Sequence, residues 1–301
     1  MYKLPVWGTV STVYGFIWHE RMAWFKFALA ILAIVLIGFA LMMLQVFGLS
    51  LISDDMEGSG LGIVLFMLIM LFFLAYAALF LTFTVAWHRH YLLWPEPTSV
   101  RELFMWSRRH WVFLGRSLLI GLIGVISYLV IGGAVTAIAG PFIFQVFSAD
   151  PQTLFSIDTF IGLWAIQLII LVLVLAVLAG FLPSLPAAAI EDWMIGLGKA
   201  MSLSRGNRLR ICGVLILGSV IPFHGIQGII SLVVLNSMFS GAEDQIRVAM
   251  EMAASPLLQI GLNFVSFFFS FLGIAIGVSL LTACYQQLRD NVPLGSESPS
   301  A

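Results

Sequence analysis

Charge is what this sequence lacks most. Asp, Glu, Lys and Arg make up 10% of its 301 residues, against about 25% in an ordinary globular chain, so the surface of a soluble domain is excluded. Cysteine is nearly absent as well: Cys212 and Cys284 are the two in the chain, too few for a disulfide framework or a four-thiolate zinc site. A net charge of −1 excludes nucleic-acid binding by bulk positive charge. There is no P-loop, no Gly-x-Gly-x-x-Gly after a strand and no zinc-protease helix motif. Paired intramembrane Asp residues are missing. Ser219 and His224, five apart on a proline-bent helix, make no nucleophile and positioned base. The sequence therefore assigns no catalytic residue, metal or cofactor. What it has in abundance is apolar side chain: 61% hydrophobic residues, 25 Phe, 9 Trp and a mean hydropathy of +1.06. That excludes disorder and identifies an all-α polytopic membrane protein.

A bilayer core about 30 Å thick takes roughly 20 apolar residues per helix. Six stretches qualify, at 26–49, 61–87, 118–144, 160–182, 211–238 and 257–284, and within them lies no acidic or basic residue apart from the margins. The loops set the orientation. Thirteen of the 14 basic residues lie on one side: Lys3, Arg21, Lys26, Arg89, Arg101, Arg108, Arg109, Arg116, Lys199, Arg205, Arg208, Arg210 and Arg289. Arg247 alone is on the other side, with eight of the 15 acids. The loops are short enough for the positive-inside rule, which makes the basic side cytoplasmic and places both termini there. Eight of the nine Trp share that side, Trp164 being the exception. The N-terminal arm has no apolar core of the signal-peptide kind, so the first span is expected to be an uncleaved insertion signal. The cytosol keeps thiols reduced, and both cysteines are expected to be free.

A polar stretch patterned like a helix precedes each odd-numbered span. In the N-terminal arm Val10, Val13, Tyr14, Ile17 and Trp18 recur at helical spacing beside His19, Glu20 and Arg21. Between spans two and three, Ser99 and Glu102 have capping-box spacing, and Val100, Leu103, Phe104 and Trp111 alternate with Arg101, Arg108 and Arg109. Between spans four and five, Ile190, Trp193, Met194, Leu197 and Met201 face Glu191, Asp192, Lys199 and Arg205. An apolar face with a basic flank and Trp is the pattern of an interfacial helix, so three amphipathic in-plane helices are expected on the cytoplasmic side. Ser107, Arg108 and Gly121 fall on Ser204, Arg205 and Gly218 at one offset, which suggests three helix-plus-hairpin units near 8–90, 98–184 and 188–288. They would form a single membrane domain over 1–290, followed by a flexible Pro/Ser tail at 291–301.

Two sets of side chains are candidates for function. The intramembrane polar set is His224 and Gln227, beside Pro222 in span five, with Gln167 in span four. Proline frees a backbone carbonyl, and such a break either lines a substrate path or is stitched to a neighbouring helix by the His and Gln. The headgroup set is Arg89, Arg101, Arg108, Arg109, Lys199, Arg205 and Arg208. Arg89 and the nearby basic in-plane helix would lie at lipid-phosphate depth, where guanidinium forks match phosphate oxygens; the alternative is an ordinary interface anchor, where Trp, Tyr and Arg gather regardless of function. His88 and His90 flank Arg89, but two residues apart on a helix they diverge by about 200°, which disfavours a shared metal.

Ala86-Trp87-His88-Arg89, the turn Leu182-Pro183-Ser184-Leu185-Pro186-Ala187-Ala188-Ala189, and Ser204-Arg205-Gly206-Asn207-Arg208 running into span five resemble a six-span bacterial family. That family is labelled as the membrane domain of glycerophosphoryl diester phosphodiesterase. The resemblance spans roughly residues 13–289 and implies a bacterial inner-membrane location. It carries no catalysis over, because the label comes from proteins in which a soluble catalytic barrel follows, and the 301 residues leave no room for one. The expected role is a non-catalytic scaffold or accessory protein that contacts phospholipid, anionic by preference, together with a membrane-protein partner. The alternatives are a transporter or channel for a small or lipidic solute built on the Pro222–His224–Gln227 break, and then a lipid-phosphate enzyme using His88, His90 and Arg89 with Glu191.

Overall fold

In hydrocarbon a chain must satisfy its own N–H and C=O groups, and long apolar runs therefore become helices. The computed structural model describes residues 2–52, 60–96, 99–148, 157–223, 225 and 256–291, and no strand occurs among them. Helix α1 covers Val6–His19, α2 Arg21–Ile52 and α3 Gly60–Leu92. A short 3-10 turn, Val100–Phe104, leads to α4, Arg108–Ser148, and α5, Ile157–Leu178. Two small helices follow, α6 Ser184–Ala189 and α7 Leu197–Leu203. Helix α8, Arg208–Leu215, passes into one π-type turn at Ile216–Val220, and α9 runs over Pro256–Asn291. Among the described residues five helices are long and apolar enough to cross a membrane, or six if the bent pair Leu197–Leu203 and Arg208–Phe223 is counted as one span. The remainder of the fifth expected span, with His224 and Gln227, lies outside the described residues.

The long helices have 32 to 41 residues, about 50–60 Å at 1.5 Å per residue, well over the hydrocarbon thickness. Their extra turns collect at one end, and the core sits there. Trp87, Tyr285, Phe27, Phe83, Leu4 and Ile211 are all fully buried. They come from α3, α9, α2, the N-terminal segment and α8. Away from that end the helices expose apolar side chains, such as Leu71, Leu129 and Ile138, as a bilayer requires. Small residues bring the helices close. An added Cβ at Gly124 of α4 would stand 3.3 Å from Leu178 of α5, and one at Gly218 only 2.6 Å from Leu280 of α9. Membrane helices associate through such close backbone approach, since burying Leu away from lipid gains little.

The polar stretches differ from the expected in-plane helices in two of three places. The N-terminal one is a helix, α1, with Val10, Val13 and Ile17 buried, and Glu20 alone separates it from α2. The second is a single turn, after which 105–107 are not helical and Arg108, Arg109 and Trp111 open α4 itself. The Ser99 hydroxyl accepts from the Arg101 N–H at 3.2 Å, while Glu102 turns to Arg89 instead of closing a capping box. The third stretch is interrupted at 190–196 between α6 and α7. There Glu191 adopts a left-handed φ of 62°, with Asp192 N–H bonded to Ala187 O at 2.9 Å. This is the usual glycine-type helix ending, built with a glutamate that loses less backbone entropy than glycine but carries roughly 1–2 kcal/mol of steric strain.

Candidate functional site

The sequence Trp87-His88-Arg89-His90 closes α3, and each helical step turns 100°, so four consecutive side chains leave the helix in four directions. Trp87 points into the bundle, its indole N–H donating to Ser279 Oγ at 2.8 Å and toward Ala275 O at 3.1 Å, both on α9. Buried His88 sets its Nδ1 2.5 Å from Thr282 Oγ1, also on α9. The Thr282 hydroxyl proton is committed to Val278 O at 2.6 Å, which leaves the hydroxyl as acceptor and fixes the His88 proton on Nδ1. His90 turns the other way, with Nε2 3.2 Å from Glu20 Oε2 at the junction of α1 and α2. The second Glu20 oxygen accepts from Trp94 Nε1 at 3.0 Å. Arg89 faces the turn before α4, where its Nε lies 3.7 Å from Glu102 Oε2. The three residues of the expected lipid-phosphate centre are thus each held by a different element and do not converge.

Further contacts lock the rest of this end. One Arg116 nitrogen, Nη1, donates to Ser184 O at 2.6 Å and to Ile195 O at 2.9 Å, pinning both sides of the α6–α7 connection to α4. Buried Tyr285 donates to Asp192 Oδ2 at 2.9 Å, tying that connection to α9 as well. The N-terminal segment is clamped from α8. Asn207 Oδ1 accepts from Leu4 N–H and its Nδ2 donates to Tyr2 O, each at 2.9 Å, while Arg210 Nη1 donates to Leu4 O at 2.9 Å. Tyr14 on α1 donates to Gly218 O at 2.9 Å, within the π-type turn. Burial holds that phenol above its ordinary pKa, so it remains a donor throughout the physiological range.

The expected headgroup residues all lie at this same end, but in different states. Arg101, Arg108, Lys199 and Arg205 are exposed, whereas Arg89, Arg109 and Arg208 are half-buried. The Arg108 guanidinium stands 5.6 Å from the Trp193 ring centroid, a cation–π distance. The Nε atoms of Arg89, Arg109 and Arg208 are buried without a hydrogen-bond partner. Arg89 is repelled by Arg109, and Glu102, Glu191 and Glu96 offset that repulsion at Arg89. Gln167 is elsewhere, its Oε1 accepting from Tyr128 across the α4–α5 pair at 3.3 Å. Cys212 and Cys284 are buried and free. Among the described residues no three His, Cys, Asp or Glu side chains converge on a place for a metal ion.

Sequence reasoning missed Glu20, Arg116, Asp192, Asn207, Arg210 and Tyr285 as the groups that organise this end. Asn207 stood in plain view between Arg205 and Arg208, yet its partners are backbone atoms some two hundred residues away, which no local pattern reveals. Searches for relatives find no matching family model, no matching curated protein and no matching solved structure.

Proposed function

We propose that the protein is a non-catalytic scaffold or accessory protein of a bacterial inner membrane, with both termini cytoplasmic, whose basic end contacts anionic phospholipid and a membrane-protein partner. The observation that carries this reading is the company the exposed arginines keep. Trp7, Trp18, Trp94, Trp106, Trp111 and Trp193 are all at least 40% exposed; Trp7 is close in sequence to Lys3, and the others to Arg101, Arg108, Lys199 or the Arg21 and His19 pair. Exposed Trp beside Arg and Lys at helix ends is what the headgroup layer selects. Within this reading α1, the Val100–Phe104 turn and α7 lie along the membrane surface. On α1, Trp7, Tyr14 and Trp18 fall on one helical stripe, beside the buried stripe of Val10, Val13 and Ile17. The resemblance to the six-span bacterial family belongs to the same proposal and supports the location.

The reading is tested in nanodiscs. Purified protein offered mixed lipid should enrich phosphatidylglycerol over phosphatidylcholine in its co-purifying shell, and equal occupancy of the two would count decisively against it. A second reading, a transporter or channel, is favoured by one observation. The π-type turn Ile216–Val220 immediately precedes Pro222, and the chain bends by 94° between α7 and α8; such turns gather at functional sites in helices. It requires His224→Ala to abolish a flux that the wild type supports, and an unchanged flux would end it.

A further inference from the structure

At the basic end several cations are already engaged by the protein. Arg116 and Arg210 donate to backbone carbonyls, Arg21 to Trp18 O, Arg89 faces Glu102 and Arg289 faces Asp192. Arg205 and Arg208 stand apart from these. Among the described residues neither guanidinium makes a hydrogen bond or meets a carboxylate, and Arg208 Nε is buried with no partner. The two line an open cavity of about 340 Å³ together with Gly206 and Leu209, within the roughly 300–1,000 Å³ typical of small-ligand sites.

Three features of the chain build this cavity. Gly206 takes a left-handed φ of 78°, which reverses the backbone between the two arginines at no steric cost. Gly180, at the end of α5, gives the Arg208 side chain room: a Cβ there would approach Nε to 3.2 Å. Ser204 fixes the turn against it, donating to Gly180 O at 3.3 Å and Ala200 O at 2.8 Å. The residue before α8, Asn207, would ordinarily cap that helix. Its side chain is committed to Tyr2 and Leu4, so no side chain caps the first turn. Two unpaired guanidinium groups lining the cavity and helix N–H groups without a side-chain cap ask for an acceptor with several oxygens and negative charge.

We propose that this cavity is a phosphate-binding pocket, in which Arg205 and Arg208 grip a phosphate group from a phospholipid head or from free phosphate. It deepens the reading of the basic end given above and rests on that reading for the lipid source. Of the basic residues there, these two form a site, while the exposed Arg101, Arg108 and Lys199 supply diffuse attraction.

The test uses the full chain in nanodiscs, with native mass spectrometry of retained phosphatidylglycerol and a thermal-shift titration of inorganic phosphate in phosphatidylcholine discs. Losing two charge-assisted contacts should cut retention or phosphate affinity at least about tenfold in Arg205→Gln/Arg208→Gln. Arg289→Gln, at the same end but outside the cavity and facing Asp192, should stay near wild type. Arg208→Lys keeps the charge and the fold but loses Nε, and should fall between the two. Loss of phosphatidylglycerol retention supports the pocket with a lipid ligand; loss confined to the phosphate titration supports it with free phosphate and removes the lipid reading. An equal, small fall in the double variant and Arg289→Gln overturns the pocket while leaving the basic face as a lipid contact. A wild type that neither prefers phosphatidylglycerol nor responds to phosphate overturns both.

Discussion

Helices α4 and α9 are both long and apolar, yet in an apolar 18-residue window of each only 6% of α4 is buried against 61% of α9. The more hydrophobic stretch is the less buried one, with mean hydropathy 2.4 against 1.9. In water this order would be reversed. In a bilayer lipid already solvates Leu and Ile, and what draws helices together is close packing and paired polar groups. Helix α9 carries them: Ser279, Thr282 and Tyr285 meet Trp87, His88 and Asp192. Helix α4 carries Arg116 near its start and thereafter offers neighbours chiefly Gly124, Gly132 and the Tyr128 hydroxyl. The basic end is accordingly where, among the described residues, the paired polar side chains are concentrated and where the fold is specified.

The largest expected effect separates the two regions directly. Trp87→Ala removes a fully buried indole and two hydrogen bonds and should destabilise by about 3–5 kcal/mol. Leu129→Ala on the 66% exposed face of α4 should stay within about 0.5 kcal/mol. Unfolding in detergent or by steric trapping measures both, and similar costs would erase the contrast. Next comes Arg116→Ala, which frees two buried carbonyl partners on the α6–α7 connection. It should cost about 1.5–3 kcal/mol and speed proteolysis at 190–196 before the helices melt.

Asn207→Ala should cost about 1–3 kcal/mol by unpairing Leu4 N–H and Tyr2 O. Amide exchange should then rise first over the N-terminal segment; a uniform rise along α3 and α9 would contradict the assigned clamp. The smallest effect has the opposite sign. Glu191→Gly relieves a left-handed glutamate and should stabilise by up to about 1 kcal/mol, reduced by glycine's greater entropy loss and by the lost attraction to Arg89. A destabilised Glu191→Gly would show that the carboxylate matters more to this end than its backbone strain.

Spans and helices were legible in the sequence because lipid leaves little choice: four of the expected six stretches lie within or nearly within α2, α3, α4 and α9. The fourth runs past the end of α5, since Gly180 and Pro183 turn the chain first. The amphipathic stretches were half legible. Val10, Val13 and Ile17 gave the correct face of α1. Around Trp111 and Ile190 the same periodicity belonged to the first turns of a long helix and to two short helices split by a glutamate-ended turn. Periodicity records which side chains avoid water, and an interfacial helix and a helix end share that pattern. Charge alone assigned Arg89, Arg101, Arg108, Arg109, Lys199, Arg205 and Arg208 to one side of the membrane, but the sequence could not rank them. The difference between Arg116, used up on Ser184 O and Ile195 O, and Arg208, with a buried unpaired Nε, depends on contacts distant in sequence.

The central claim is that the polar, packed end of the bundle is the end that meets lipid phosphate. Hydrogen–deuterium exchange of the full chain in phosphatidylglycerol and in phosphatidylcholine nanodiscs tests it most directly. The account predicts added protection in phosphatidylglycerol over α1, the Val100–Phe104 turn and α7 to the start of α8, with α5 unchanged. Identical protection in the two lipids, or a difference confined to α4 and α5, would contradict it.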